Sequence, residues 1–356
     1  MKKIIKVALY NPYLETLGGG EKHILSIIQV FAEMGAEIYI FWDKKLNDEI
    51  EDRFSFDFIK NVRWLPNIFK KPNAIEVFKT LKVFDYFFYV TDGSYFASSA
   101  KKNFIFAMVP EYRLYDLNLI NKLKLWNYKF ISNSPFTTSW LNRWGIRPIT
   151  IPPYINIPLT NDYKKEKIIL SVGRFFPHLH SKNHEKIIDT YLLLKKKSKL
   201  FSDYSLVLAG GVKKEDEIYF NKLKSSFNDT SILFKSNLSF KELNNLYKTS
   251  NYFWHFTGFN IDENISPEKV EHFGIAPFEA MTYEDIVFCY NAGGPKMIVK
   301  DNETGFLFNS EAEVISKMTD IESNLKLQKK IKYQAKSYVE NNLSYNLFKR
   351  RVSELL

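Results

Sequence analysis

Glu271 and Glu279 stand with seven residues between them in the stretch 270–299, VEHFGIAPFEAMTYEDIVFCYNAGGPKMIV. They flank a Phe-Gly-Ile-Ala-Pro loop, and the plan repeats as Ala-Gly-Gly-Pro at 292–295. Each repeat reads as a loop opening a helix, with Pro277 and Pro295 at the first helical position, where the missing N–H costs nothing. Free N–H groups follow each proline, and a helix start with free donors and a positive dipole end suits a phosphate or a sugar oxygen. Gly274 and Gly293-Gly294 would let a ligand approach the backbone closely. A plainer account is equally available for each carboxylate alone. Glu279, as third helical residue, would stabilise the first turn with no ligand, and Glu271 would be a loop charge.

Two further places carry chemistry. An apolar strand, Ile168 to Gly173, ends in Arg174 and the loop FFPHLHSKNHE, which holds Lys182. Near the start, Gly18-Gly19-Gly20 links a β-branched run to a helical face of Ile24, Leu25, Ile27, Ile28 and Phe31. That loop lacks the Lys-Ser/Thr of a P-loop, and its spacing is not the dinucleotide fingerprint. His178, His180 and His184 crowd one loop, but no carboxylate or Cys sits in register to complete a zinc site, so no metal is expected.

Taken together, the 270–299 string resembles the donor-site signature of retaining glycosyltransferases of the GT-B fold, family 4: Glu, seven residues, Glu, with Phe-Gly-Ile inside and Gly-Gly-Pro downstream. Ala-Met follows the second Glu, as is common in that family, while Tyr283-Glu284-Asp285 replaces the usual Gly. The Ser-Val-Gly-Arg strand end with its Lys-Asn pair resembles the family's donor-phosphate side, and Gly18 to Glu21 its N-terminal Gly-Gly-Glu loop.

The resemblance implies an α/β chain of two Rossmann-like, doubly wound domains facing a central cleft, with the C-terminal helix crossing back to the first. It implies a nucleotide-diphosphate sugar as donor, and a hexose or deoxyhexose passed to a glycan or lipid-linked acceptor, with no metal or cofactor. Glu271, Arg174 and Lys182 would be catalytic. The donor would be bound by these three with Gly19, Gly20, Gly173, Phe273, Gly274, Ile275, Ala276 and Glu279. Arg174 and Lys182 would hold the diphosphate, Glu271 hydroxyls of the transferred sugar, and Glu279 those of the ribose. A carboxylate takes two hydroxyl hydrogens as an acceptor-only group, which agrees with those roles. A covalent nucleophile at Glu271 is the competing assignment. Fixed cations replace the divalent ion that other folds hold with Asp-x-Asp, a motif found nowhere in this sequence.

The elements needed to position these residues can be traced. With 356 residues, 45% hydrophobic and 25% charged, the chain suits two ordinary globular domains. Strands are expected at 4–10, 37–42, 86–91, 104–109, 130–133, 149–151, 168–173, 205–209 and 252–256, and helices over 312–318, 325–341 and 345–356. The first domain is placed at 1–155 with a returning 342–356, the second at 165–341, and the linker at Thr160 to Lys167. No apolar run approaches the ~20 residues that cross a bilayer, and the single Cys289 excludes an internal disulfide, which fits a reducing cytoplasmic location.

The net charge of +10 is uneven. Residues 60–129 carry twelve Lys and Arg against five Asp and Glu, and 326–351 eight against one. No nucleic-acid motif accompanies this, so nucleic acid is not an expected partner. Within the first window, NLINKLKLWNYKF interleaves Leu119, Leu123, Leu125, Trp126 and Phe130 with Lys122, Lys124 and Lys129, as in a helix lying on an anionic membrane surface. A solvated basic face or a core-facing helix fits the same pattern. Three alternatives to transfer stand beside it. An epimerase-like GT-B enzyme is one. A phosphorylase would be much longer and carry a pyridoxal-binding Lys. A non-catalytic sugar-nucleotide-binding module is favoured by Phe106 to Pro110, where the family often has a His.

Overall fold

The computed structural model describes residues 4–70, 72–158, 163–177 and 181–356. His178, His180 and Thr160, where the expected linker starts, lie outside the described residues. The chain divides into two compact units, Met1–Pro153 with Phe348–Leu356, and Tyr154–Leu347.

The first unit contains β1 (Lys6–Tyr10), α1 (Gly19–Glu33), β2 (Glu37–Phe41), α2 (Asn47–Phe54), β3 (Arg63–Leu65), α3 (Ala74–Leu81), β4 (Tyr86–Val90), β5 (Lys102–Ala107), α4 (Leu119–Lys124), β6 (Tyr128–Ser132), α5 (Pro135–Arg143) and β7 (Ile149–Thr150). Its strands form one parallel sheet in the order β3-β2-β1-β4-β5-β6-β7. Continuous apolar runs such as YFFYV, buried at every position of β4, suit a sheet covered on both faces. One face gathers Tyr39, Phe41, Phe87, Tyr89 and Ile105 with Val77 and Leu81 of α3. On α1, Phe31 packs on Phe88 at 5.4 Å, and buried His23 meets Phe106 edge-on at 4.9 Å. Burial holds His23 neutral, its pKa pushed down to about 3.

The second unit contains β8 (Ile168–Val172), α6 (His184–Lys197), β9 (Ser205–Gly210), α7 (Glu217–Ser225), β10 (Ile232–Ser236), α8 (Phe240–Thr249), β11 (Tyr252–His255), α9 (Ile275–Thr282), β12 (Ile286–Tyr290), α10 (Gly293–Ile298), β13 (Phe306–Phe308), α11 (Glu311–Glu322) and α12 (Leu325–Asn342). The last helix, α13 (Tyr345–Ser353), begins in this unit and ends in the first. The parallel sheet runs β10-β9-β8-β11-β12-β13, so the chain reverses its direction of travel between β8 and β11. At such a reversal two loops leave adjacent strands in opposite directions and open a crevice at their carboxyl ends.

The expected interfacial helix is reduced to α4, and Phe130 lies on β6. Sheet pairing overrides the helical pattern there, with Phe130 set opposite Ile105. The strand expected at 104–109 is β5 at Lys102–Ala107. The edge strands β3 and β10 were not expected. β3 is only three residues long, and β10 alternates with a charged Lys235, so neither carries a strong apolar run.

Tyr283-Glu284-Asp285 is a Schellman closure of α9. The Asp285 N–H donates to Ala280 O and the Glu284 N–H to Met281 O, both at 3.1 Å. Glu284 therefore sits at φ +65°, the conformation for which Gly is the ordinary choice, and Lys336 of α12 pairs with it at 3.2 Å. Asp285 is fully buried between Lys165 (2.6 Å) and the Ser250 hydroxyl (2.9 Å), and burial pushes its pKa up to about 7. Glu284→Gly and Glu284→Ala lose the same ion pair, but only Gly relieves the left-handed strain. The Gly variant should exceed the Ala variant by about 1 kcal/mol in urea unfolding, and equal stabilities would refute the strain.

Candidate functional site

The carboxyl ends of β8 and β9 come together through glycines. A Cβ on Gly210 would lie 1.9 Å from the Gly173 carbonyl, so β9 can close on the end of β8 only without a side chain there. A Cβ on Gly173 would stand 2.5 Å from Lys182 Cγ, so the bare Gly173 provides the bed on which the lysine stem lies. Lys182 Nζ reaches Glu271 Oε2 at 2.6 Å, and the same oxygen lies 3.3 Å from Nε2 of His255, the last residue of β11.

The charges follow from this packing. Burial would raise the Glu271 pKa, but the Lys182 ammonium and His255 more than offset it and hold the carboxyl well below its usual range. His255, buried in the sheet, is pushed down by desolvation, partly countered by Glu271, and stays neutral near pH 7. The cluster is thus a carboxylate, an ammonium and a neutral imidazole. The side chains of Glu271 and Lys182 keep 20% and 17% exposure, so hydroxyls or phosphate oxygens can reach them.

Arg174, expected beside Lys182, engages a different partner. Its Nε lies 3.5 Å from the buried Asp216 and its guanidinium stacks on Phe176 at 4.3 Å, leaving the side chain 36% exposed. His184 packs flat against Phe175 at 4.5 Å, and burial lowers its pKa to about 3, so it serves as core. Among the described residues no three His, Cys, Asp or Glu side chains gather to hold a metal.

For Gly293 and Gly294 the packing corrects the expectation of a ligand lying against them. Gly293 and Gly294 accommodate the protein's own chain. A Cβ would fall 2.1 Å from Glu271 O at the first and 2.3 Å from His272 O at the second. The donors at the start of α10 are not free. Gly294 N–H donates to Glu271 O at 2.7 Å, and Gly293 N–H to Glu263 at 2.6 Å, with Lys296 on the other Glu263 oxygen. What the Gly-Gly-Pro loop does is fix the backbone that carries Glu271. Pro277 and Pro295 are the third residues of α9 and α10 rather than the first. The missing N–H still falls among the unpaired first four, so the position is tolerated.

Gly274, at φ +90°, caps α9, which has no side-chain cap, and Phe273 is buried against Phe278 at 5.2 Å. Ile275 and Ala276, half-buried, begin the helix. Glu279 is its fifth residue, not its third, and accepts from the buried Tyr247 hydroxyl at 3.2 Å. Tyr247 in turn stacks on Tyr283 at 5.5 Å and 9°. In the first unit, Gly19 is the first residue of α1, Glu21 accepts from the Gly18 N–H at 2.9 Å, and Gly20 gives room to Met108, whose Sδ would be 2.3 Å from a Cβ.

His255, Asp216 and Tyr247 were not singled out from sequence. A polar residue closing the buried run YFWH was a signal for His255, whereas Asp216 and Tyr247 come into place only by folding.

The model of the family described as glycosyl transferases group 1 matches residues 157–338. No curated protein sequence matches the chain. Among solved structures, a glycosyltransferase from Rickettsia africae is 18% identical with a TM-score of 0.73, over 100% of this chain and 98% of that one. HepE from Anabaena, crystallised with UDP and glucose, is 15% identical with a TM-score of 0.72 over 98% of each chain. Sucrose-phosphate synthase from Thermosynechococcus elongatus is 16% identical with a TM-score of 0.70, over 99% of this chain and 98% of that one. At these identities the likeness speaks for the fold, which is GT-B.

Two alanine substitutions separate the roles of the glycines. Gly210→Ala drives a methyl into backbone and should cost about 3 kcal/mol in urea unfolding, while Gly173→Ala meets only a flexible lysine stem and should cost about 1 kcal/mol. With Lys182 displaced, Glu271 loses the cation that depresses its pKa. A depressed carboxylate adds stability above its unfolded pKa and loses it as pH falls through the folded one, so the stability gap between wild type and Gly173→Ala should narrow as the solution is acidified through that range. Equal costs, or a gap that does not change with pH, would contradict this arrangement.

Proposed function

This chain belongs to the glycosyl transferases group 1 family, and from that premise we propose that it is a retaining, family 4 enzyme that takes a hexose or deoxyhexose from a nucleotide-diphosphate sugar. The acceptor is a glycan or a lipid-linked saccharide. The observation that carries the reading is the Lys182–Glu271–His255 cluster, set where the second sheet reverses. HepE, crystallised with UDP and glucose, makes UDP-sugars the first donors to test.

In this reading Glu271 accepts from hydroxyls of the transferred sugar, and neutral His255 beside it leaves the carboxylate its acceptor capacity. Glu279, held by Tyr247, takes the ribose hydroxyls. Lys182 already lies next to Glu271, so an arriving diphosphate shares its ammonium with that carboxylate, and the exposed part of Arg174 adds a second cation. The uncapped first turn of α9 supplies N–H donors to the β-phosphate. The donors of α10 are already used within the protein and supply none.

The bond from the anomeric carbon to the β-phosphate oxygen breaks with its electron pair leaving on the diphosphate. The acceptor oxygen attacks from the same face, and its proton passes to the departing phosphate oxygen. Fixed cations stabilise the developing charge without a metal, and removal of one such group typically costs on the order of 2–4 kcal/mol of transition-state stabilisation. A lipid-linked acceptor would bring the first unit to the inner face of an anionic membrane, where its basic window lies.

Proton NMR of the product from a UDP-sugar reaction run with excess EDTA tests the reading. It should show an anomeric configuration equal to the donor's and full activity with chelator. An inverted linkage, or activity abolished by EDTA, would overturn it.

A further inference from the structure

The first unit carries a second feature that its sheet does not require. Helices α3 and α4 cover the same face of that sheet: Val77 and Leu81 of α3 and Leu125, directly after α4, join one buried cluster. The turn at 98–99 ties them together. The Ser99 hydroxyl donates to the Phe78 carbonyl, and the Asn127 amide to the Ser98 carbonyl at 3.0 Å.

Outward, the two segments are apolar. α4 buries none of its six residues, and Leu119, Ile120, Leu123 and Trp126 are 65–76% exposed. α3 and its end add Ile75, Phe78 and Val83 at 45–66%. These seven are a third of the 21 large apolar side chains exposed among the described residues, gathered on two short elements. Scattered exposed hydrophobics are ordinary, but a contiguous group marks a surface that meets something. Beside them in the chain stand Lys79, Lys82 and Lys122, all exposed, and half-buried Lys124, against Glu76 and Asp116.

We propose that α3 and α4 form one wedge that inserts into the headgroup region of an anionic lipid bilayer, with the lysines on its phosphates. It deepens the reading that the acceptor is lipid-linked, and rests on it. Apolar side chains beside a lysine ring fit an interface that is hydrocarbon below and negative above, and Trp126 suits the boundary between them. A second copy of this chain fits less well, because a two-fold contact would set the lysine ring of one copy against that of the other. Neither helix is long or apolar enough to cross a membrane, which is consistent with a surface mode.

The test is flotation of the full chain with vesicles of phosphatidylcholine alone and of an equal mixture with phosphatidylglycerol. The mixed vesicles should bind at least about tenfold more protein, since several lysines each contribute near the surface. Phe78→Ser on α3 and Leu123→Ser on α4 should each lower that binding about tenfold. Their melting temperatures should be unchanged, because both side chains are exposed. Binding lost in Leu123→Ser but kept in Phe78→Ser would overturn the two-helix wedge. So would equal recovery on both vesicle types, or self-association in sedimentation that both variants abolish. UDP-induced thermal stabilisation, measured alongside, reports on the donor site alone. The absence of such stabilisation from the wild type with UDP, GDP and dTDP alike would sink the donor reading, while loss of flotation in both variants would still support the wedge.

Discussion

The contact between Lys182 and Glu271 is the constraint on which the second unit's site depends. Two opposite charges drawn partly out of water lose hydration, and their attraction offsets that only when geometry holds them close. Here the geometry comes from backbone. Gly173 lets the lysine stem lie on the end of β8, Gly210 lets β9 close beneath it, and Gly293-Gly294 press on the chain that carries Glu271. The pair is therefore held by main chain on both sides, with enough exposure left for a ligand to compete for it.

This view gives the Gly-Gly-Pro loop a mechanical meaning. A ligand-facing glycine and a chain-facing glycine look alike in sequence. The close approaches to Glu271 O and His272 O show that these two face the chain, and their own N–H groups donate to Glu271 O and Glu263. The helix start of α9, opened by Gly274 at φ +90°, has no side-chain cap. The departure at Tyr283-Glu284-Asp285 is likewise structural, a left-handed helix closure made with Glu instead of Gly and tied down by Lys336.

Much of the fold was legible because it is written in buried parallel strands. YFFYV, IILSV and SLVLAG are apolar at nearly every position, a pattern that few other structures demand. Short edge strands and the turn from α4 into β6 were not legible, since strand pairing there outweighs a helical pattern. At the site, the spacing of Glu271 and Glu279 and the position of Lys182 could be read directly. The neighbours that set their chemistry could not. His255 arrives from a strand, Tyr247 from α8 and Asp216 from the loop before α7, each by long-range packing that spacing does not encode.

The central claim is that this cluster receives the donor's diphosphate. Titration calorimetry of UDP against the wild type and Lys182→Met, with melting curves recorded for both, addresses it most directly. A hydrogen bond to a charged group contributes about 1.5–3 kcal/mol, so Lys182→Met should bind UDP on the order of ten- to a hundredfold more weakly while still unfolding cooperatively. UDP affinity equal in the two proteins would contradict the account.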